Sequence, residues 1–219
     1  MILQFAQMKD MNKSIIDITT WKRKDHYYFF KEFEQPFYGI TTDLNCTEAY
    51  HYCKAYEIPF FLFYLYKSLK AVQQINELKY RMEQDQVFEY RQISGSVTVL
   101  RNDETFGFAY FDYHEDFTQF MEQTKIAMAE VKAAKGLQIR PELNSVIHYT
   151  VLPGIKFSSM QHVHSTSVKD CVPKIAFGKL TFLNGQVLLP VSIHVHHSLC
   201  DGLHLAKYIT CYQQELELH

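Results

Sequence analysis

The dipeptide Asn184-Gly185 constrains this 219-residue chain more than any other feature. It lies between two apolar, β-branched runs, Ile175 to Leu183 and Gln186 to His196. Both of its residues tolerate the positive φ that a two-residue hairpin turn demands. Runs joined in this way pair antiparallel. The second run ends in His196-His197-Ser198-Leu199-Cys200-Asp201-Gly202, and beyond it Leu203, Ala206, Ile209, Tyr212 and Leu216 recur with helical spacing. An imidazole, a carboxylate and a glycine thus occupy one short connection between a predicted strand and a predicted helix.

The remaining pattern places an N-terminal arm over residues 1–16, running into the segment near Ile18. Helices are predicted over Lys24 to Glu34, ended by Pro36, and over Thr47 to Tyr56 and Pro59 to Gln74, with Pro59 in the tolerated first turn. Short strands follow at Tyr80 to Met82, Val87 to Tyr90, Ser96 to Arg101 and Phe106 to Asp112. A long helix covers Asp116 to Lys135, stopped by Gly136, and another strand covers Ile147 to Leu152. Helices and strands come in clusters instead of alternating, so the expected class is α+β, a sheet layer covered by helices.

Composition narrows the function. With 47% hydrophobic and 21% charged residues the chain suits one globular domain over residues 1–219, without linker or repeat. A net charge of -2, with no basic stripe, argues against a nucleic-acid partner. The five cysteines lack any Cys-x-x-Cys spacing, which suits a reducing compartment, and Met1 to Ser14 does not read as a secretory signal. A cytoplasmic address is expected. The most apolar run, Pro59 to Tyr66, is far shorter than the roughly 20 residues of a membrane span and reads as a buried helix.

Histidine exchanges a proton near neutral pH, which suits His197 to general-base work. Asp201 has three roles open to it: orienting the ring, pairing with a cation that holds the loop, or capping the helix that follows. A metal is the rival chemistry, because His194 and His196 share a strand face, His197 and His204 lie close by, and His162-Val163-His164 repeats the spacing. No acidic or cysteine ligand pattern completes such a site. Ser198 and Cys200 flank the loop without a Gly-x-Ser-x-Gly elbow, and no phosphate-binding glycine fingerprint occurs.

His-x-x-x-Asp-Gly resembles the active-site motif of coenzyme A-dependent acyltransferases, and His196 to His204 is similar to that of chloramphenicol acetyltransferases. Trp21-Lys22-Arg23-Lys24-Asp25-His26 and the aromatic run Tyr27 to Phe30 resemble the opening segment of that family. Thr105-Phe106, Thr150-Val151-Leu152-Pro153 and Leu188-Leu189-Pro190-Val191 add to the resemblance, which extends from about Asp17 to the C-terminus.

The resemblance implies a chloramphenicol acetyltransferase-like two-layer sandwich with a mixed sheet. It also implies a homotrimer with active sites at subunit interfaces, and direct acetyl transfer from acetyl-CoA, a co-substrate and not a tightly bound cofactor, to a small-molecule hydroxyl. It casts His197 as the base, Asp201 as the loop anchor through Arg23, and Thr150 as the oxyanion donor. Phe29, Phe30, Phe106, Phe108, Met160, Lys174 and Ala176 are implied for the acceptor pocket, and Lys79, Gly154 and Lys179 for coenzyme contacts. Family members carry tyrosine, threonine, isoleucine and tryptophan where this chain has Phe30, Ala176, Lys174 and Gly154. The acyltransferase core of 2-oxo acid dehydrogenase complexes, and a non-catalytic or metal-binding relative, are the alternatives.

Overall fold

The computed structural model describes residues 12–140, 144–163 and 170–218. The Asn184-Gly185 turn forms as expected, with φ of 49° and 77°. It joins β9 (Thr181–Leu183) to β10 (Gln186–His196), the longest strand among the described residues. β10 pairs antiparallel with β2 (Phe37–Asn45) on one side, and with β8 (Lys174–Phe177) and β9 on the other. β7 (Val146–Val151) then runs parallel to both β8 and β5 (Ser94–Leu100), and β6 (Phe106–Phe111) closes the row antiparallel to β5. The result is a seven-stranded mixed sheet in the order β2-β10-β8-β7-β5-β6, with β9 on β10.

Alternation sorts the two faces of this sheet. On one face Val97, Phe111, Tyr149, Ile175, Phe177, Val191, Ile193 and Val195 merge into a single apolar core with the helices α2 (Thr47–Ala55), α3 (Phe60–Gln73), α4 (Phe117–Ala133) and α5 (Gly202–Leu216). The apolar run predicted as a buried helix becomes α3, nine of whose fourteen residues are buried. Three tyrosine hydroxyls of this core are paired: Ser68 Oγ bonds Tyr149 Oη at 3.1 Å and Tyr208 Oη at 2.7 Å, and Tyr212 Oη donates to Tyr64 O. The class is therefore α+β, a mixed sheet layered with helices.

The other face is polar. Its register aligns Tyr110, Ser96, His148, Lys174 and His194 in one row across five strands, and Thr150, Ala176, Ser192 and Thr41 in the next. A second, three-stranded sheet, β1 (Lys13–Ile15), β4 (Gln86–Tyr90) and β3 (Tyr80–Glu83), is followed in the core by Tyr27, Val87, Cys171 and Leu199, with Trp21 and Tyr80 packed on them. Leu199 thereby pins the histidine-bearing connection to a second small core.

Four features differ from the sequence reading. The helix predicted to reach Glu34 is α1 (Lys24–Phe30), which ends a turn earlier. The run Ile175 to Leu183 is broken between β8 and β9, where Gly178 N–H donates to Pro190 O and Lys179 N–H to Ile155 O. A Cβ on Gly178 would stand 3.0 Å from the Phe157 ring and 3.1 Å from Pro190 Cβ, so the close crossing of the 155–157 segment leaves little room for a side chain there. Pro190, inside a central strand, faces this break, where the Gly178 N–H to Pro190 O bond goes without the reciprocal bond that a proline cannot donate. β2 was not predicted, although it pairs along nine residues of β10; β1 lies in the segment read as an arm.

Candidate active site

The connection after β10 is tied at both ends. His197 N–H donates to Pro36 O, while Leu199 and Cys200 N–H return to His196 O. Ser198 N–H donates to His196 Nδ1 at 3.3 Å, so the buried His196 closes the turn. Asp201 sits at the N-cap of α5, its Oδ1 accepting from Leu203 N at 3.1 Å. All three roles open to Asp201 in the sequence concern this loop. The structure gives it the cap and a cation.

That cation is Arg23, immediately before α1. Its Nη1 lies 2.5 Å from Asp201 Oδ2, and its Nη2 donates to His197 O at 3.3 Å. One guanidinium thus clamps both ends of the five-residue loop, and its own side chain is only 11% exposed. Burial pushes the Asp201 carboxyl up. The Arg23 hydrogen bond and the neighbouring His204 and Arg23 charges outweigh it and hold the group below the usual carboxylate range.

His197 Nδ1 lies 3.2 Å from Cys200 O. A carbonyl oxygen only accepts, so Nδ1 carries a proton, and in the neutral ring the lone pair is on Nε2. Two aromatic rings fix the imidazole plane. Phe30, from α1, stacks on it with centroids 3.9 Å apart and planes within 14°, and Tyr38, from β2, lies at 4.4 Å. Phe29 packs edge-on against Phe30 and is largely exposed. Tyr38 was missed because β2 was missed; its alternating, aromatic and β-branched start after Pro36 was the available signal. The Cys200 thiol is driven far above its usual range by burial, which removes it as a thiolate nucleophile.

The other sequence-derived residues gather elsewhere. Thr150 on β7 faces the same side as Ala176 and Ser192 in adjacent strands. From Ser192 to His196 is four residues, and Thr150 lies two strands away from β10. At about 3.3 Å per residue and 4.8 Å per strand, Thr150 and His197 of one chain are ~15 Å apart or more. Lys174 is buried, ion-paired with Asp170, with its ammonium 4.3 Å from the Phe37 ring. It lies beside His148, whose Nδ1 is 2.7 Å from Ser96 Oγ. Phe106 and Phe108 share β6 with centroids 5.6 Å apart, and Met160 lies half-buried in the irregular segment after β7.

Gly154 and Lys179 are both exposed and close together through the Lys179 N to Ile155 O bond, whereas Lys79 is 8% exposed at the end of a 3-10 turn, Asn76–Lys79. Among the described residues no three His, Cys, Asp or Glu side chains group as metal ligands, and no helix is long and apolar enough to cross a membrane. The doublet partner His164 lies outside the described residues.

The family model for chloramphenicol acetyltransferase matches residues 11–213. The chain belongs to the chloramphenicol acetyltransferase family. It is an acyltransferase. Among members of the family, it is 27% identical over 206 residues to chloramphenicol acetyltransferase 2 of Haemophilus influenzae, covering 93% of this chain and 96% of the relative. It is 25% identical over 189 residues to the chloramphenicol acetyltransferase of Bacillus pumilus, covering 85% and 86%. A solved chloramphenicol acetyltransferase superposes with a TM-score of 0.83 at 27% identity, over 94% of this chain and all of that one. The dihydrolipoamide acetyltransferase of Azotobacter vinelandii matches with a TM-score of 0.63 at 10% identity, over 83% and 81%, which is a likeness of fold. The dehydrogenase-core alternative is thus related to the chloramphenicol acetyltransferase family by architecture.

Proposed function

We propose that the protein is an acetyl-CoA-dependent O-acetyltransferase that acts on a hydroxyl of chloramphenicol or a related small molecule, with His197 as general base. The acceptor hydroxyl gives its proton to His197 Nε2 as its oxygen attacks the thioester carbonyl. The tetrahedral oxyanion accepts a hydrogen bond from Thr150 Oγ1, collapse breaks the carbon–sulfur bond, and the proton on Nε2 passes to the departing coenzyme A thiolate. No acyl-enzyme forms, and acetyl-CoA is a co-substrate.

The observation that carries this reading is the 3.2 Å contact of His197 Nδ1 with the Cys200 carbonyl: it favours the neutral tautomer with the proton on Nδ1 and so supports Nε2 as the basic nitrogen. The separation of Thr150 from His197 within one chain supports a site completed by a second copy, with His197 from one protomer and Thr150 from its neighbour in a homotrimer. Phe29, Phe30, Phe106, Phe108, Met160, Lys174 and Ala176 then line the acceptor pocket. Gly154 and Lys179 are better exposed than Lys79 for coenzyme A. The free cysteines suit a cytoplasmic protein.

A thiol-release assay with acetyl-CoA against a panel of hydroxylated acceptors, chloramphenicol included, tests the reading. Acceptor-dependent release of coenzyme A is expected. Release that is no faster with any acceptor than in buffer contradicts it.

A further inference from the structure

Asp201 is held by more than Arg23. Its backbone N–H donates to His204 Nδ1 at 3.0 Å, reciprocating the bond from Leu203 N–H to Asp201 Oδ1 across the first turn of α5. Acceptance of an N–H requires a bare Nδ1, so the proton of neutral His204 is on Nε2. That nitrogen lies 3.3 Å from Glu77 Oε1 on the 3-10 turn Asn76–Lys79. His204 is 7% exposed. The loop is therefore anchored from two sides: Arg23 grips the carboxylate and the His197 carbonyl, and His204 grips the Asp201 backbone and ties it to Glu77.

We propose that His204 is a positioning residue for the acyl transfer, and that its neutral Nε2–H form locks the Asp201 loop and thereby the His197 imidazole. This rests on the reading of His197 as the base. His204 Nδ1 also stands 3.0 Å from Asp201 Oδ1. A protonated ring cannot accept the Asp201 N–H; it donates to that carboxylate instead and competes with Arg23 for Asp201. Protonation thus exchanges a backbone lock for a pull on the clamp.

The groups facing the ring are Glu77 from the 3-10 turn, Asp201 from the loop, Arg23 from the segment before α1, and Lys207 from its own helix. Burial disfavours the charged ring, Glu77 and Asp201 favour it, and Arg23 and Lys207 oppose it, with a net lowering from the usual histidine value. The locked form is the one present at neutral pH, and it is lost as the pH falls. The Cys200 thiol, within the same loop, stays protonated and adds no charge.

Two measurements on the full-length protein test this. In the first, the histidine-labelled protein is titrated by NMR. His204 is expected as the Nε2–H tautomer, and the Asp201 amide shift is expected to move with the His204 titration. An Nδ1–H tautomer, or an Asp201 amide that ignores the titration, overturns the proposal whether or not the protein transfers acetyl groups.

In the second, kcat is followed from pH 5 to 8. Wild type is expected to lose kcat as the pH falls and His204 leaves its neutral, locking form. His204→Ala is expected to lose about tenfold in kcat with the acetyl-CoA KM within about twofold. His204→Gln keeps an acceptor for the capping N–H and cannot protonate. It is expected to recover turnover to within about threefold at pH 8 and to lose less of it than wild type as the pH falls. A Gln variant as impaired as the Ala variant, or one with an unchanged acid limb, overturns the proposal. Loss of acetyl transfer in wild type with every acceptor sinks the proposed function, and the NMR arm still judges His204.

Discussion

Arg23 and Asp201, 178 residues apart in sequence, meet at 2.5 Å, and the same guanidinium reaches the carbonyl of His197. This pair converts a turn between strand and helix into a fixed platform for an imidazole. The two jobs of Asp201, capping α5 and anchoring Arg23, are separable by substitution. Asparagine caps as well as aspartate but carries no charge. Asp201→Asn is expected to change stability by less than ~1 kcal/mol more than the clamp itself costs, and to lower kcat by about tenfold or more through loss of alignment. Asp201→Ala is expected to be less stable than Asp201→Asn by ~1 kcal/mol, the worth of a cap. Urea unfolding together with steady-state kinetics on both variants checks this.

Phe30 stacks on His197 almost face to face. Removing the ring frees the imidazole to rotate about its own side-chain torsions. Phe30→Ala is expected to lower kcat by about tenfold to a hundredfold, the scale of a misplaced catalytic group. Phe30→Tyr keeps the stack and is expected to stay within about threefold of wild-type kcat while changing the acceptor KM. Steady-state kinetics with varied acceptor distinguishes the two effects.

Thr150 is assigned a hydrogen bond made only as charge develops on the carbonyl oxygen. Thr150→Ala is expected to reduce kcat by about 10²-fold with the acetyl-CoA KM little changed, and Thr150→Ser to retain most of the activity. A Ser variant as impaired as the Ala variant would remove Thr150 from the mechanism.

His148 is buried beside Ser96, and its pKa is pulled down to about 4. Burial is the main cause; the Lys174 charge adds to it, Asp170 opposes it and Arg81 reinforces it. An unfolded chain binds a proton on this ring near pH 6.5 and the folded chain does not. The unfolded state therefore binds more protons between those two values, so stability is full above pH 6.5 and falls as the pH drops toward 4. The contribution lost is ~2–3 kcal/mol by the lower end. His148→Gln is expected to lose less stability than wild type between pH 7 and pH 4.5 in urea unfolding.

Much of this molecule is legible before folding. The positive φ of Asn184 and Gly185 and the apolar runs beside them set the hairpin, and the helical spacing after Asp201 set α5. What escaped has physical reasons. Phe37 to Asn45 carries a glycine and polar threonines because one of its faces is polar and Gly39 underlies His194, where a Cβ would come within 2.5 Å of the ring. A strand so divided gives a weak apolar signal, and Tyr38 was lost with it. The Arg23–Asp201 contact is invisible to spacing, since a pair so distant in sequence leaves no local pattern; only resemblance to a family suggested it. The link from His204 to Glu77 left no trace either, because a histidine in a first helical turn has no distinctive signature.

The central claim is that Nε2 of His197 removes the acceptor proton. The most direct measurement is kcat for acetyl-CoA-dependent thiol release by His197→Ala at neutral pH, with the best acceptor found for wild type and the fold verified by circular dichroism. A fall of about 10²- to 10⁴-fold, the scale of a general base, is the expected result. A folded His197→Ala protein with kcat within about threefold of wild type would contradict the mechanism.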